Sequence, residues 1–173
     1  MKKATVLGIL MMLTACATAP TPKIDENTEV KQPIKEVNQL PIIGGVERLY
    51  VENIKAPFHA RIDTGAETSS IDVQNITPFE RDGEKWVSFD LVNRSNGEKI
   101  KLEKPIKRKT TIKRTNETEH RYVVRMKIRM GKSLINADFT LNDRSKFDYQ
   151  VLIGRNIISG RYIVDVSTTN TLR

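Results

Sequence analysis

From residue 42 onward the chain alternates between apolar and polar positions. In residues 85–92, Val87, Phe89 and Leu91 share one side against Ser88 and Asp90. In residues 121–130, Tyr122, Val124, Met126, Ile128 and Met130 oppose Arg121, Arg125, Lys127 and Arg129. A period of two places successive side chains on opposite faces and predicts half-buried strands. Ile135, Ala137, Phe139 and Leu141 repeat the pattern directly after Gly131-Lys132, which predicts the second arm of a hairpin. Residues 47–54, 57–62, 151–153 and 162–166 add short β-rich runs, and a helical turn fits only residues 155–159. The expectation is an all-β domain, a small barrel or sandwich, with at most one short helix.

Residues 1–41 do not share this pattern. Lys2 and Lys3 precede a short apolar stretch that ends at Leu13-Thr14-Ala15-Cys16, the order of a secretory signal with a cysteine at the cleavage point. It resembles a bacterial lipobox, which implies that residues 1–15 are removed and that Cys16 carries the lipid. Ala17 follows Cys16 where an Asp would mark retention in the inner membrane, so the resemblance points to a lipoprotein of the outer membrane facing the periplasm. Acyl chains contribute about 0.8 kcal/mol per buried CH₂, so several of them anchor a protein without any spanning helix. Residues 16–41 hold Pro20, Pro22, Pro33 and Pro41 among mixed charges and read as a tether, leaving residues 42–173 as the folded domain.

Composition narrows the classes further. With 173 residues, 29% charged and 38% hydrophobic, there is room for one ordinary domain with its own core. One cysteine excludes an intrachain disulfide framework, and two histidines leave little for a metal site. The formal charge of +8 becomes +6 once Lys2 and Lys3 are removed. Much of it lies in Lys99, Lys101, Lys104, Lys107, Arg108, Lys109, Lys113 and Arg114, a run that reads as a solvated face or a contact for anionic lipid or acidic substrate. An exported chain argues against nucleic acid as the partner.

The chemistry is concentrated in Ala60-Arg61-Ile62-Asp63-Thr64-Gly65-Ala66-Glu67-Thr68-Ser69-Ser70, where an apolar strand runs into Asp-Thr-Gly-Ala. The strand delivers a carboxylate to the floor of a cleft, and Gly65 lets main chain approach a substrate closely. Taken alone, the same residues also make an ordinary strand-to-turn junction. A second segment, Val151-Leu152-Ile153-Gly154-Arg155-Asn156, sits near the end of the domain. Together the two resemble the paired motifs of retropepsins.

Leu141-Asn142-Asp143-Arg144-Ser145, Tyr149 and Tyr162-Ile163-Val164-Asp165-Val166-Ser167 narrow the resemblance to a bacterial retropepsin-like family once labelled ATP-dependent zinc proteases. It covers about residues 42–167, with Gln150 where Pro is expected and Asn142 where Thr is common. The resemblance implies a small closed β-barrel with a flap hairpin, Asp63 as the catalytic residue, and Thr64, Gly65, Ala66, Glu67, Gly154, Arg155 and Asn156 as its support. It also implies a side-chain pair between Arg155 and Glu67. The old label finds no backing in the residues: there is no Gly-x-x-x-x-Gly-Lys-Ser/Thr loop for phosphates and no His-Glu-x-x-His for zinc, so neither metal nor cofactor is expected.

An aspartic peptidase needs two carboxylates sharing a proton, one to activate water and one to donate to the scissile carbonyl. A single Asp-Thr-Gly supplies half a site, so a homodimer with two copies of Asp63 on a two-fold axis and Thr64 cross-bracing is expected. Asp143, Asp148 and Asp165 are the weaker candidates for a partner within the chain. The roughly 90 residues between Asp63 and Gly154 exceed a minimal retropepsin by about one hairpin. Residues 93–114, with a turn at Asn96-Gly97, are the expected insert, and either they or the Gly131 hairpin would supply the flap. The leading reading is a lipid-anchored aspartic endopeptidase acting on peptide or protein. The alternative is a non-catalytic barrel that binds peptide, envelope polymer or a partner protein.

Overall fold

Two segments far apart in sequence meet side by side: β2 (Phe58–Ile62) and β10 (Val151–Ile153) run in parallel, with Ala60 beside Val151 and Ile62 beside Ile153. The computed structural model describes residues 40–113 and 118–172; the signal sequence, Cys16 and the tether up to residue 39 lie outside the described residues, as does Arg114. Among the described residues no helix is long and apolar enough to cross a membrane.

The molecule is almost entirely β, as its alternation predicts. The strands β1 (Ile42–Val51), β2, β10, β3 (Ser69–Asp72), β9 (Ser133–Asn142) and β8 (Thr118–Met130) pair in that order. The ring closes where Leu49, Tyr50 and Val51 pair with Met130, Arg129 and Ile128. Two strands extend beyond it. β11 (Ile163–Thr169) lies parallel to the first half of β1, and β7 (Arg108–Lys113) pairs with the first part of β8, so the barrel carries two open flanges. Leu49, Phe58, Ile71, Met126, Phe139 and Ile153 fill its interior, all fully buried. The sole described helix, α1 (Arg155–Ile158), is one turn long and packs Ile157 and Ile158 against the same core.

A separate three-stranded meander comprises β4 (Gln74–Arg81), β5 (Glu84–Val92) and β6 (Lys99–Pro105). Val87, Phe89 and Leu91 drive into the main core, as their spacing predicts, but Ser88 and Asp90 are buried as well. Asp90 is satisfied there: Lys99 lies 2.9 Å away and Asn75 Nδ2 donates to it at 2.6 Å. Of the expected insert at 93–114, β6 belongs to this meander, whereas β7 belongs to the main sheet. Several cations of the basic run have partners: Lys104 pairs with Glu52 at 3.0 Å, Arg108 faces Asp138 at 3.8 Å, and Lys109 lies over the Tyr122 ring.

Two buried polar side chains hold the periphery to the ring. Glu47 accepts hydrogen bonds from Gly44 N (2.7 Å), Thr171 N (3.0 Å), Thr171 Oγ1 (2.7 Å) and Leu172 N (3.3 Å), fastening the segment after β11 to β1. Burial pushes the Glu47 carboxyl up, but the hydrogen bonds from Gly44, Thr171 and Leu172 outweigh it and hold the group below the usual carboxylate range. Gly44 is required by this crossing, since a Cβ there would fall 2.4 Å from the Thr168 carbonyl oxygen. Gln150, the residue standing in place of Pro, donates to Val92 O at 2.7 Å and accepts from Arg94 N at 2.8 Å, joining the meander to the barrel.

Candidate active site

Asp63 is the residue on which the β2–β10 pairing ends, its N–H donating to Ile153 O at 2.9 Å. The strand therefore fixes the Cα of Asp63, and the following turn fixes its carboxylate. Oδ1 accepts from Gly65 N (2.9 Å) and Ala66 N (3.1 Å), a local Asx arrangement that orients the group. Among the described residues Oδ2 accepts no hydrogen bond, so one oxygen is held and the other is open. Asp63 is half-buried, whereas Thr64 and Gly65 are exposed.

The second motif locks this loop from behind. Arg155 N donates to Ala66 O at 2.8 Å and Asn156 N to Glu67 O at 3.0 Å. Asn156 Oδ1 accepts from both Ser69 N (2.9 Å) and Ser69 Oγ (2.8 Å), and its Nδ2 donates to Asp138 O at 2.8 Å. Ser69 Oγ in turn accepts from Gly154 N at 2.9 Å. Gly154 is demanded by this approach, because a Cβ would lie 2.8 Å from Ala66 O and 3.0 Å from Thr68 C. Asp63, Ala66, Glu67, Gly154, Arg155 and Asn156 are thus brought together through main chain and amide.

The expected side-chain pair between Arg155 and Glu67 is not formed. The Arg155 guanidinium donates instead to Thr64 O (3.0 Å) and Gly65 O (2.7 Å). The main-chain bonds at Ala66 and Glu67 already hold the two segments close, so Arg155 runs back over the preceding carbonyls while the Glu67 side chain points out and is exposed.

Two of the three intrachain candidates for a second carboxylate, Asp143 and Asp165, are engaged by their own turns. Asp143 accepts from Ser145 N at 2.9 Å, and Asp165 from Ser167 N and Oγ at 2.9 and 2.6 Å. No acid of the described residues hydrogen-bonds to Asp63. The described residues also hold no group of three or more His, Cys, Asp or Glu able to ligate a metal. His120 faces Thr111 Oγ1 at 3.1 Å, and His59 is exposed on β2.

Beside the Asp63 loop lies a cavity of about 290 Å³, lined by Ala66, Glu67, Ser70, Arg121 and Arg144 among others. Thr110 on β7 and Arg121 on β8 contribute to it, and Arg108 NH2 donates to Thr68 Oγ1 at 3.1 Å. The β7–β8 hairpin is therefore the one that reaches the site, while the Gly131 turn lies at the other end of β8, against β1. The motifs assign no role to Ser69, Ser70, Arg121 or Arg144. Ser69 and Ser70 follow the Asp-Thr-Gly signature directly, and Arg144 lies in the segment that carried the family resemblance, so their positions were available without their roles. Arg144 is buried; burial, and then repulsion from Arg121, push its guanidinium below the usual arginine value, while Asp72 and Asp63 act in the opposite direction.

Residues 42–172 match a family described as RimB-like, retropepsin-like aspartic endopeptidase RimB. Two curated relatives named "Probable alpha-L-glutamate ligase" are similar: one from Shewanella pealeana is 40% identical over 73% of this chain, and one from Parasynechococcus marenigrum 33% identical over 76%. The match spans 28% and 29% of those relatives' own length. The crystal structure of a protein of unknown function (DUF785) from Legionella pneumophila superposes with a TM-score of 0.67 at 28% identity, covering 77% of this chain and 98% of that one.

Proposed function

We propose, for a chain that belongs to the RimB-like family of retropepsin-like aspartic endopeptidases, that it hydrolyses peptide bonds as a homodimer in which two Asp63 carboxylates activate one water. The observation that carries this reading is the carboxylate of Asp63, fixed at a strand end with one oxygen held by two N–H groups and the other free. No second acid of the described residues bonds to Asp63, so a second copy supplies the partner. Across the two-fold axis one carboxylate takes a proton from the water while the other donates to the scissile carbonyl oxygen. Thr64, exposed beside Asp63, cross-braces the copies in this reading, and Arg155 stiffens the loop by holding the Thr64 and Gly65 carbonyls. The proposal includes attachment through Cys16 to the outer membrane, with the domain facing the periplasm, on the strength of the N-terminal sequence alone. It includes neither metal nor nucleotide.

The ligase name belongs to relatives of which the match spans about a quarter, and under this proposal it selects glutamate-containing peptides as the first substrates to try. The test is a peptide-library digest with wild type, Asp63→Asn and a mixture of the two. Wild type cuts; Asp63→Asn folds and assembles but does not, because an amide cannot act as base. Excess mutant inhibits the mixture, since each mixed dimer carries one inactive half. Equal cutting by wild type and mutant assigns the activity to another residue. A wild type that neither cuts nor dimerises leaves the domain as a peptide- or polymer-binding module.

A further inference from the structure

Lys99, Lys104 and Arg108 of the basic run face carboxylates. A second group of cations does not. Lys127, Arg129 and Lys132 are exposed around the Gly131 turn, and no carboxylate of the described residues forms an ion pair with them. They lie on the outer side of the sheet, where the register sets Tyr50 beside Arg129 and Arg129 beside Leu134. The Arg129 guanidinium carbon lies 3.9 Å from the centre of the Tyr50 ring, and the group makes one hydrogen bond, at 3.5 Å to Gly131 O. Stacking on a ring holds the planar fork without using its N–H donors, which stay open to an anion. Leu134 is 67% exposed. A lone exposed leucine is ordinary, but this one sits next to a free guanidinium.

The same side chains border a cavity of about 430 Å³ that also takes in Lys55 and Lys127. Two acids are near, and both are occupied. Glu52 faces Lys104 Nζ at 3.0 Å and accepts from Lys127 N at 3.0 Å. Glu98 accepts from Lys55 N at 3.0 Å and Ala56 N at 3.3 Å. The Lys55 ammonium offsets the Glu98 charge, which leaves Lys127, Arg129 and Lys132 in surplus. Surplus cations around an apolar tip are complementary to an anionic bilayer, whose phosphates meet the cations while the leucine enters the headgroup layer. A soluble phosphate would use the guanidinium and leave Leu134 in water.

We propose that this face docks the domain on an anionic membrane surface, with Arg129 forking a lipid phosphate, Lys127 and Lys132 adding attraction, and Leu134 inserted. The strand register gives the consequence. β2 begins with Phe58 opposite Leu49, at the patch end of β1, and runs away from the patch to Asp63. Five residues at about 3.3 Å each carry Asp63 roughly 16 Å farther along the barrel. Docking therefore turns the Asp63 end away from the lipid and toward solvent, and the β7–β8 hairpin with it. Residues 17–41 extend to roughly 80–90 Å at most, so attachment at Cys16 permits this orientation. The docking does not depend on Asp63 being catalytic.

The test reads which face meets the lipid. The full-length chain carries Cys16→Ser, which removes the lipidation site and leaves a single introduced cysteine to bear a polarity-sensitive dye. That cysteine is Ser133→Cys, exposed beside the patch, or Val166→Cys, where the valine is 80% exposed on β11. Vesicles of two parts phosphatidylcholine to one part phosphatidylglycerol should shift the emission at position 133 to the blue and leave that at 166 unmoved. Pure phosphatidylcholine should shift neither. Each cation contributes about fivefold to such binding, so Lys127→Gln with Arg129→Gln should raise the lipid concentration for half the shift at least about tenfold. Leu134→Ser should raise it several-fold. Thermal stability should hold in both variants, because these side chains are exposed. Inorganic phosphate at matched ionic strength should leave the shift in place; its loss would make this a site for free phosphate instead. Equal shifts at both positions, no shift at 133, or an undiminished response in the double variant would also overturn the proposal. Asp63→Asn should respond as wild type, which keeps this outcome separate from that of the peptide digest.

Discussion

Asn156 shows how one amide can assemble a site it does not enter. Its oxygen takes two donors from Ser69 and its nitrogen reaches Asp138 O, so it joins α1, β3 and β9 behind Asp63. Asn156→Ala leaves the fully buried Ser69 N–H without an acceptor, and the expected cost is about 2 kcal/mol. Asn156→Asp keeps the acceptor, loses the donor, and should fall between. Urea denaturation of the three proteins checks the order, and an Ala variant as stable as wild type would remove Asn156 from this role. Gly154→Ala should be the harsher change, because main chain at Ala66 and Thr68 has nowhere to move.

At the level of elements, the Glu47 fastening predicts a response to acid. The folded-state value of this carboxyl lies below the ordinary glutamate value of 4.5, so its stabilisation is fully present above pH 4.5 and is lost as pH falls through the lower, folded value. Glu47→Gln should cost about 2 kcal/mol near neutrality and shrink the drop in stability between about pH 7 and pH 3. Urea midpoints at the two pH values decide it; parallel losses in both proteins would mean other carboxylates dominate. The strands that alternate cleanly, such as β8 and β9, were legible in the sequence, because one of their faces meets solvent. β3 was not: all four of its residues are buried, and Ser69, Ser70 and Asp72 read as loop until their partners are known. β4 escaped because it is mostly exposed, with little apolar contrast between faces. β6 does alternate, Ile100 and Leu102 against Lys99, Lys101 and Glu103, but its lysines read first as a basic run. The site was legible to the level of Asp63 and its second motif. The hydrogen bonds chosen by Arg155 were not, since they depend on which carbonyls the folded loop turns toward it.

On the scale of the whole molecule, Gln150 is the hinge pin between the barrel and the meander. Gln150→Ala removes the acceptor of Arg94 N and the donor to Val92 O. Amide exchange should then accelerate across β5 and β6 while β2 and β10 keep their protection, because the barrel core does not depend on that contact. Uniform acceleration would show instead that the two sheets unfold as one unit. The parallel pairing of β2 with β10 has a further consequence, in time rather than space. Synthesis at about 5–20 residues per second puts some 5–18 seconds between the making of Asp63 and of Gly154. Until that interval has passed, the Asp63 loop has only its own Gly65 and Ala66 N–H groups to orient the carboxylate and lacks the main-chain bonds from Arg155 and Asn156. Under the peptidase reading, the site is therefore completed late, by the order in which the chain is written.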